Sequence, residues 1–165
     1  KEGMQTIAYW MMGSLAGAQW GELAVIAPII IASILFFWTQ SRVLNLMLLG
    51  DESAITMGTD LHAYRQWYLL ISSLIVGFAV YSAGMIGFVG LIVPHVIRMF
   101  TGPDHKRLLP VAALVGAIFL VVADGLCRVI IPHTELPIGI LISMIGAPSF
   151  IYLMIKKTYG FGGSD

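Results

Sequence analysis

Asp124 and Arg128 stand four residues apart, just past the uncharged run 108–123, so on a helix they share one face. A charge at the middle of a bilayer costs about 2.5–3.5 kcal/mol on insertion scales, so a pair placed there calls for a role. Two roles fit: a contact for cargo or gate near the outer end of a span, or an ion pair that fixes helix packing. Ion pairs often serve structure, and packing is the favoured reading. His95, Asp104 and His105 invite a metal reading, as in a metal-dependent enzyme within the membrane. Zinc ligands usually come in tight pairs such as H-x3-H or C-x2-C, whereas His95 and His105 lie ten apart across the turn Gly102-Pro103. The simpler account ends a helix at the membrane surface with Pro94, His95 and Arg98, where a cation suits the C-terminal dipole. Nucleophilic hydrolysis needs a serine with a base in reach. Ser72, Ser73, Ser82, Ser143 and Ser149 are available, but the histidines fall at or beyond span edges and no G-x-S-x-G occurs. No Walker A pattern is present, so ATP cannot be held that way. The methionines form no stripe, which argues against a methionine path for copper.

The elements that must position these residues are apolar. Residues 69–93 contain no Asp, Glu, Lys, Arg or His, and 23–38, 108–123 and 138–155 are also uncharged. A helical span needs about 20 apolar residues. The chain is 58% hydrophobic and 11% charged, against about 25% charged in a soluble domain. Net charge is zero, so nothing points to nucleic acid. Cys127 is the single cysteine and cannot form an internal disulfide. No signal peptide is visible, and a start at Lys1 suggests a fragment or processed chain.

These runs predict an all-α, polytopic membrane protein with about five spans, near 23–40, 67–84, 86–100, 108–131 and 137–155. Residues 1–21, with Tyr9, Trp10 and Trp20, read as an interfacial lead-in. Residues 42–65 read as a polar loop with short helical pieces. The run 69–93 is split because Gly84, Gly87 and Gly90 weaken one continuous helix. With Gly77 they read either as a close-approach ridge that hinges or as plain packing. The split also sorts charge: Arg42, Arg65, Arg98, Lys106, Arg107, Lys156 and Lys157 all fall on one side, which the positive-inside tendency makes cytoplasmic. Arg128 falls on the other.

From Gly87 onward the order of residues resembles a known family. Gly87-Phe88-Val89-Gly90-Leu91-Ile92-Val93-Pro94-His95-Val96-Ile97-Arg98 is followed by Gly102, Asp104-His105-Lys106 and Leu108-Leu109-Pro110. Ala123-Asp124 with Arg128, Glu135-Leu136-Pro137-Ile138-Gly139, and Gly146-Ala147-Pro148 with Phe150 and Leu153 continue the match. Upstream, Trp10-Met11-Met12-Gly13-Ser14 looks like the family's segment before its sixth span. Gly50-Asp51-Glu52, Ala54 and Met57-Gly58 are similar to its coupling loop. The pattern resembles FecCD-type permeases, the type II ABC importers of iron–siderophore, haem and cobalamin. Met57 stands where that family often has Leu, a mild swap.

The resemblance implies the C-terminal half of a ten-span permease in a bacterial or archaeal cytoplasmic membrane. It implies a homodimer with two ATP-binding subunits inside and a substrate-binding protein outside, and no cofactor bound by this chain. It implies no enzyme activity here, since ATP hydrolysis belongs to the separate subunit. Gly50, Asp51, Glu52, Ala54, Met57 and Gly58 would form the segment that meets the ATPase. The alternatives are an intramembrane metal-dependent enzyme and a scaffold that transports nothing.

Overall fold

A computed structural model describes residues 2–130 and 136–160, with side chains as far as 156. The described residues form eight helices: α1 (Glu2–Met11), α2 (Trp20–Thr39), α3 (Ser41–Leu48), α4 (Asp51–Thr56), α5 (Leu61–Ala83), α6 (Val89–Thr101), α7 (His105–Ile130) and α8 (Ile138–Gly160). Four of them, α2, α5, α7 and α8, are long and apolar enough to cross a bilayer, and α6 is a shorter apolar helix. Few residues in the four long helices are buried, between 6% and 17% of each most apolar stretch. A helix apolar on all sides is built for a membrane or a larger core, so its exposed leucines and isoleucines belong against lipid or further helices.

α7 is the central rod, packed against α2, α3, α6 and α8. Two small cores form along it. Val93 and Ile97 of α6 close on Leu108 near its start. Ala123 and Cys127 close on Ile138 and Ile142 of α8 near its end. On the far side α2 packs on α5, where Phe36, Phe37, Tyr64 and Tyr68 meet edge-on or tilted. The Tyr68 hydroxyl donates to Gln40 Oε1 at 2.8 Å, which satisfies a nearly buried phenol.

The break in the long apolar run is real, and its cause is specific. α5 stops at Gly84, whose φ of 73° and ψ of −168° lie in a region essentially reserved for glycine. A Cβ there would also collide with the Trp10 carbonyl oxygen and the Gly13 backbone. The chain then runs without helix to Phe88, which begins α6 at a φ of 64°, against Gly146 of α8. α6 has thirteen residues, so it rises about 20 Å, short of the roughly 30 Å hydrocarbon core. Irregular backbone at that depth survives only when buried in protein. The cover is partial here: Gly84 is buried, Ser14 N–H donates to the Ala83 carbonyl at 2.9 Å, and Gly139 lies against the Met12 and Met85 carbonyls, while Met85 and Gly87 stay exposed.

Several expectations are corrected. The lead-in 1–21 is not merely interfacial, because Gly13 is buried and Leu15 packs on the α7–α8 core. The loop 42–65 is two helices plus the first turn of α5, so Leu61–Arg65 are helical. The third apolar helix starts at Val89 rather than 86. Pro94 and His95 lie inside α6, which runs on to Thr101, so they do not end it. Gly77, Gly87 and Gly90 have open space around them and form no ridge; the close contacts fall on Gly13, Gly84, Gly139 and Gly146. Glu135 and the connection 132–135 lie outside the described residues.

Gly84→Ala and Gly139→Ala are each expected to destabilise the protein, by about 1–3 kcal/mol or more from overpacking against backbone that cannot step aside. Gly77→Ala inside α5 should be neutral or stabilising by about 0.5–1 kcal/mol. Thermal unfolding in detergent, followed by circular dichroism, separates the two classes.

Candidate functional site

The densest set of specific polar contacts lies at one end of the helices, where α2 ends, α3 and α4 stand, and α5 and α7 begin. α4 is only six residues long, too short to hold a helix by propensity alone. Its C-terminal end is closed instead, and its start carries two carboxylates without a side-chain cap. Asp51 and Glu52 sit in its first turn, where carboxylates favour the helix dipole. At its far end Thr59 N–H donates to the Ala54 carbonyl and Gly58 N–H to the Ile55 carbonyl, both at 2.9 Å. That is a Schellman closure, with Gly58 in its left-handed position at φ 80°. Ala54 is wholly buried, whereas Ile55 and Met57 are about two-thirds exposed. The module is therefore a rigid knuckle with apolar tips facing outward.

Arg65 of α5 reaches back to Asp51 with Nη2 at 2.8 Å from Oδ1 and Nη1 at 3.4 Å from Oδ2. The guanidinium hydrogen bond, then its charge, holds the Asp51 carboxyl below the usual range. Both side chains are about half exposed, so the pair orients α4 on α5 more than it stabilises it. Asp60 caps α5 by accepting from His62 N–H at 2.9 Å.

α7 begins with a shared cap. Asp104 Oδ1 accepts from Lys106 N–H at 3.0 Å and from Asn45 Nδ2 at 2.9 Å. Asn45 Oδ1 accepts in turn from His105 N–H at 2.9 Å and lies 2.7 Å from His105 Nδ1. The Asn45 hydrogen bond is the main cause holding the Asp104 carboxyl below its ordinary value, so it is ionised at neutral pH. One residue on, Pro110 has no N–H for the Lys106 carbonyl four residues back. Trp38 Nε1 from α2 donates to that carbonyl at 2.9 Å.

At the other end of α7, Arg128 Nε donates to Asp124 Oδ2 at 2.8 Å. The pair forms as its spacing predicts, within one helix. Arg128 is largely exposed and Asp124 is not. Cys127 is buried beside them.

Other expected site residues are scattered. His95 is half-buried within α6, and Arg98 is exposed in its last turn. Among the described residues no three of His, Cys, Asp and Glu come together as metal ligands. Pro137 precedes α8 and its carbonyl accepts from Ile140 N–H at 3.1 Å. Pro148 lies inside α8. The methionines, apparently scattered along the chain, do meet: Met11, Met12, Met85 and Met144 line one open cavity of about 440 Å³ with Ser143 and Gly139. Asn45 and Trp38 were missed as site residues. The signals for them were a lone amide between Leu44 and Leu46, and a proline in the second turn of an apolar helix whose freed carbonyl needs a donor.

The fold and this capped module define a membrane-transport component, and comparison with known proteins agrees. The FecCD transport family model matches residues 1–156. The chain is 42% identical over 154 residues to the haemin transport system permease HmuU of Yersinia pestis, covering 93% of this chain and 46% of that protein. It is 43% identical over 146 residues to the cobalamin import permease BtuC of Halobacterium salinarum, covering 88% and 39%. A solved structure described as an inward-facing metal-chelate type ABC transporter superposes with a TM-score of 0.88 at 35% identity, over 94% of this chain and 50% of that one. The chain belongs to the FecCD transport family. It spans about half the length of the curated relatives it matches.

The Asp124–Arg128 pair makes a clear prediction. Asp124→Asn alone should lower stability more than Asp124→Asn combined with Arg128→Gln, because a lone charge in an apolar setting is the costly state. A double-mutant cycle of unfolding in detergent reads this, and zero coupling would make the contact energetically idle.

Proposed function

We propose that the chain is the C-terminal half of the membrane permease of an ABC importer that carries a metal chelate, haem or cobalamin into the cytoplasm. ATP hydrolysis lies on a separate subunit in this reading, which also includes a second permease copy, two ATPases and an extracytoplasmic binding protein. Family membership and the likeness to haemin, cobalamin, hydroxamate and dicitrate permeases support it. The single structural observation that carries it is the capped α4 knuckle. A short helix closed at its C-terminal end, with Ile55 and Met57 bare at its tip, suits docking into a partner's cleft. Nucleotide binding on that partner can bias the permease only through contacts that differ between its two states, and a stiff knuckle transmits such a bias.

The proposed orientation puts this end inside. Arg42, Arg65, Arg98, Lys106 and Arg107 gather at the end where α3 and α4 lie, as cytoplasmic basic residues do. The methionine-lined cavity lies at the opposite end, beside Gly139 and Met85. Polarizable, adaptable methionines suit a bulky apolar cargo better than a bare ion.

Two outcomes follow for the full transporter. In a Cys127→Ser background, cysteines placed at Glu52 and at Arg107 should label from the same face, and one at Gly17 from the opposite face. Gly58→Val should break the closure of α4, leaving ATP hydrolysis while uptake into vesicles holding all subunits falls about tenfold or more. Unchanged uptake would remove the knuckle from the coupling route.

A further inference from the structure

Asn45 does for α7 what that helix cannot do for itself. The first backbone N–H groups of a helix have no partner within it. Asp104 caps one of them, at Lys106. The preceding one, at His105, is capped by Asn45, which arrives from α3 sixty residues earlier in the chain. The partners settle the orientation of the amide. A carboxylate only accepts and a backbone N–H only donates, so Nδ2 faces Asp104 and Oδ1 faces His105. His105 Nδ1 then carries the proton it shares with Oδ1. A second tether, Trp38 to the Lys106 carbonyl, sits one residue further along.

The links of the α3–α4 module to its two neighbours are unequal. Toward α5, α4 has one exposed ion pair, Arg65 with Asp51, a kind of contact that contributes little, and the head of α3 has the single Tyr68 bond to Gln40. Toward α7 the link is a part-buried hydrogen-bonded clasp with every partner satisfied. α7 in turn shares its cores with α6 and α8.

We propose that Asn45 is a positioning residue for transport: its clasp on Asp104 and His105 makes the α3–α4 module and α7 move as one body. A displacement of α4 then reaches the outer end of the bundle along α7 rather than α5. This rests on reading α4 as the ATPase-facing segment.

The test uses the full transporter in vesicles, reading ATP hydrolysis and cargo uptake on the same preparation, with thermal unfolding as a control. Asn45→Leu keeps the branching of the side chain and removes the bonds. ATP hydrolysis should stay within about twofold of wild type while cargo moved per ATP falls about fivefold or more. Asn45→Asp sets two carboxylates face to face and should uncouple likewise. Asn45→Ser, whose short hydroxyl cannot bridge Asp104 and His105 together, should give the same loss even if Asn45→Leu does not fold. The proposal is overturned if Asn45→Leu or Asn45→Ser keeps the wild-type ratio, or if uptake and hydrolysis fall in parallel with the melting temperature. A wild-type complex that hydrolyses ATP without uptake would instead overturn the functional reading on which the proposal stands.

Discussion

Everything at the end where α5 stops and α8 begins depends on backbone touching backbone at glycine. Where α5 gives out, residues 84–88 run outside any helix in a chain made for lipid. Unsatisfied peptide groups there would each cost several kcal/mol, on the order of the water-to-hydrocarbon transfer penalty. The molecule meets this by bringing in a second irregular strand of chain, residues 12–14, and the start of α8. Gly13, Gly84 and Gly139 remove the side chains that would hold these backbones apart. Once they close, Leu15, Ile86 and Phe88 can join Ala123, Cys127, Ile138 and Ile142 in one small core. That approach fixes where α6 and α8 begin; their packing on α7 fixes the rest.

The opposite end, where α7 begins, solves a different problem with polar groups. Prolines in α6 and α7 interrupt the helical ladder, and the start of α7 leaves its first donors bare. Side chains from α2 and α3 supply what is missing, at the Lys106 carbonyl and at the His105 N–H. Defects in one helix thereby become attachment points for its neighbours. The same logic explains why α3 and α4, too short to persist alone, hold their shape: each is bonded to a long helix that is already in place.

The two ends are joined by α7, which carries the clasp at its start and the Asp124–Arg128 pair near its finish. The apolar middle offers little that is specific. Its exposed isoleucines, leucines and valines are interchangeable in water-free surroundings, where lipid is as apolar as a side chain. Specificity is therefore concentrated at the ends, in glycine contacts at one and hydrogen bonds at the other.

Sequence alone determined the class of molecule, because lipid solvation is read from composition: long uncharged runs leave no other stable arrangement than helices. It also determined the break after Ala83, since three glycines in seven residues weaken any helix, and the Asp124–Arg128 contact, since four residues make one turn. Ordered matches from Trp10 to Leu153 were enough to name the family. Tertiary structure alone decided which glycines matter, for close approach depends on what lies opposite: Gly87 and Gly90 face open space whereas Gly13 and Gly139 do not. It alone brought Asn45 to Asp104 and His105, and Met11 to Met144. Spacing along a helix is a local property that residues carry with them; a contact across sixty or more residues exists only once the chain has folded.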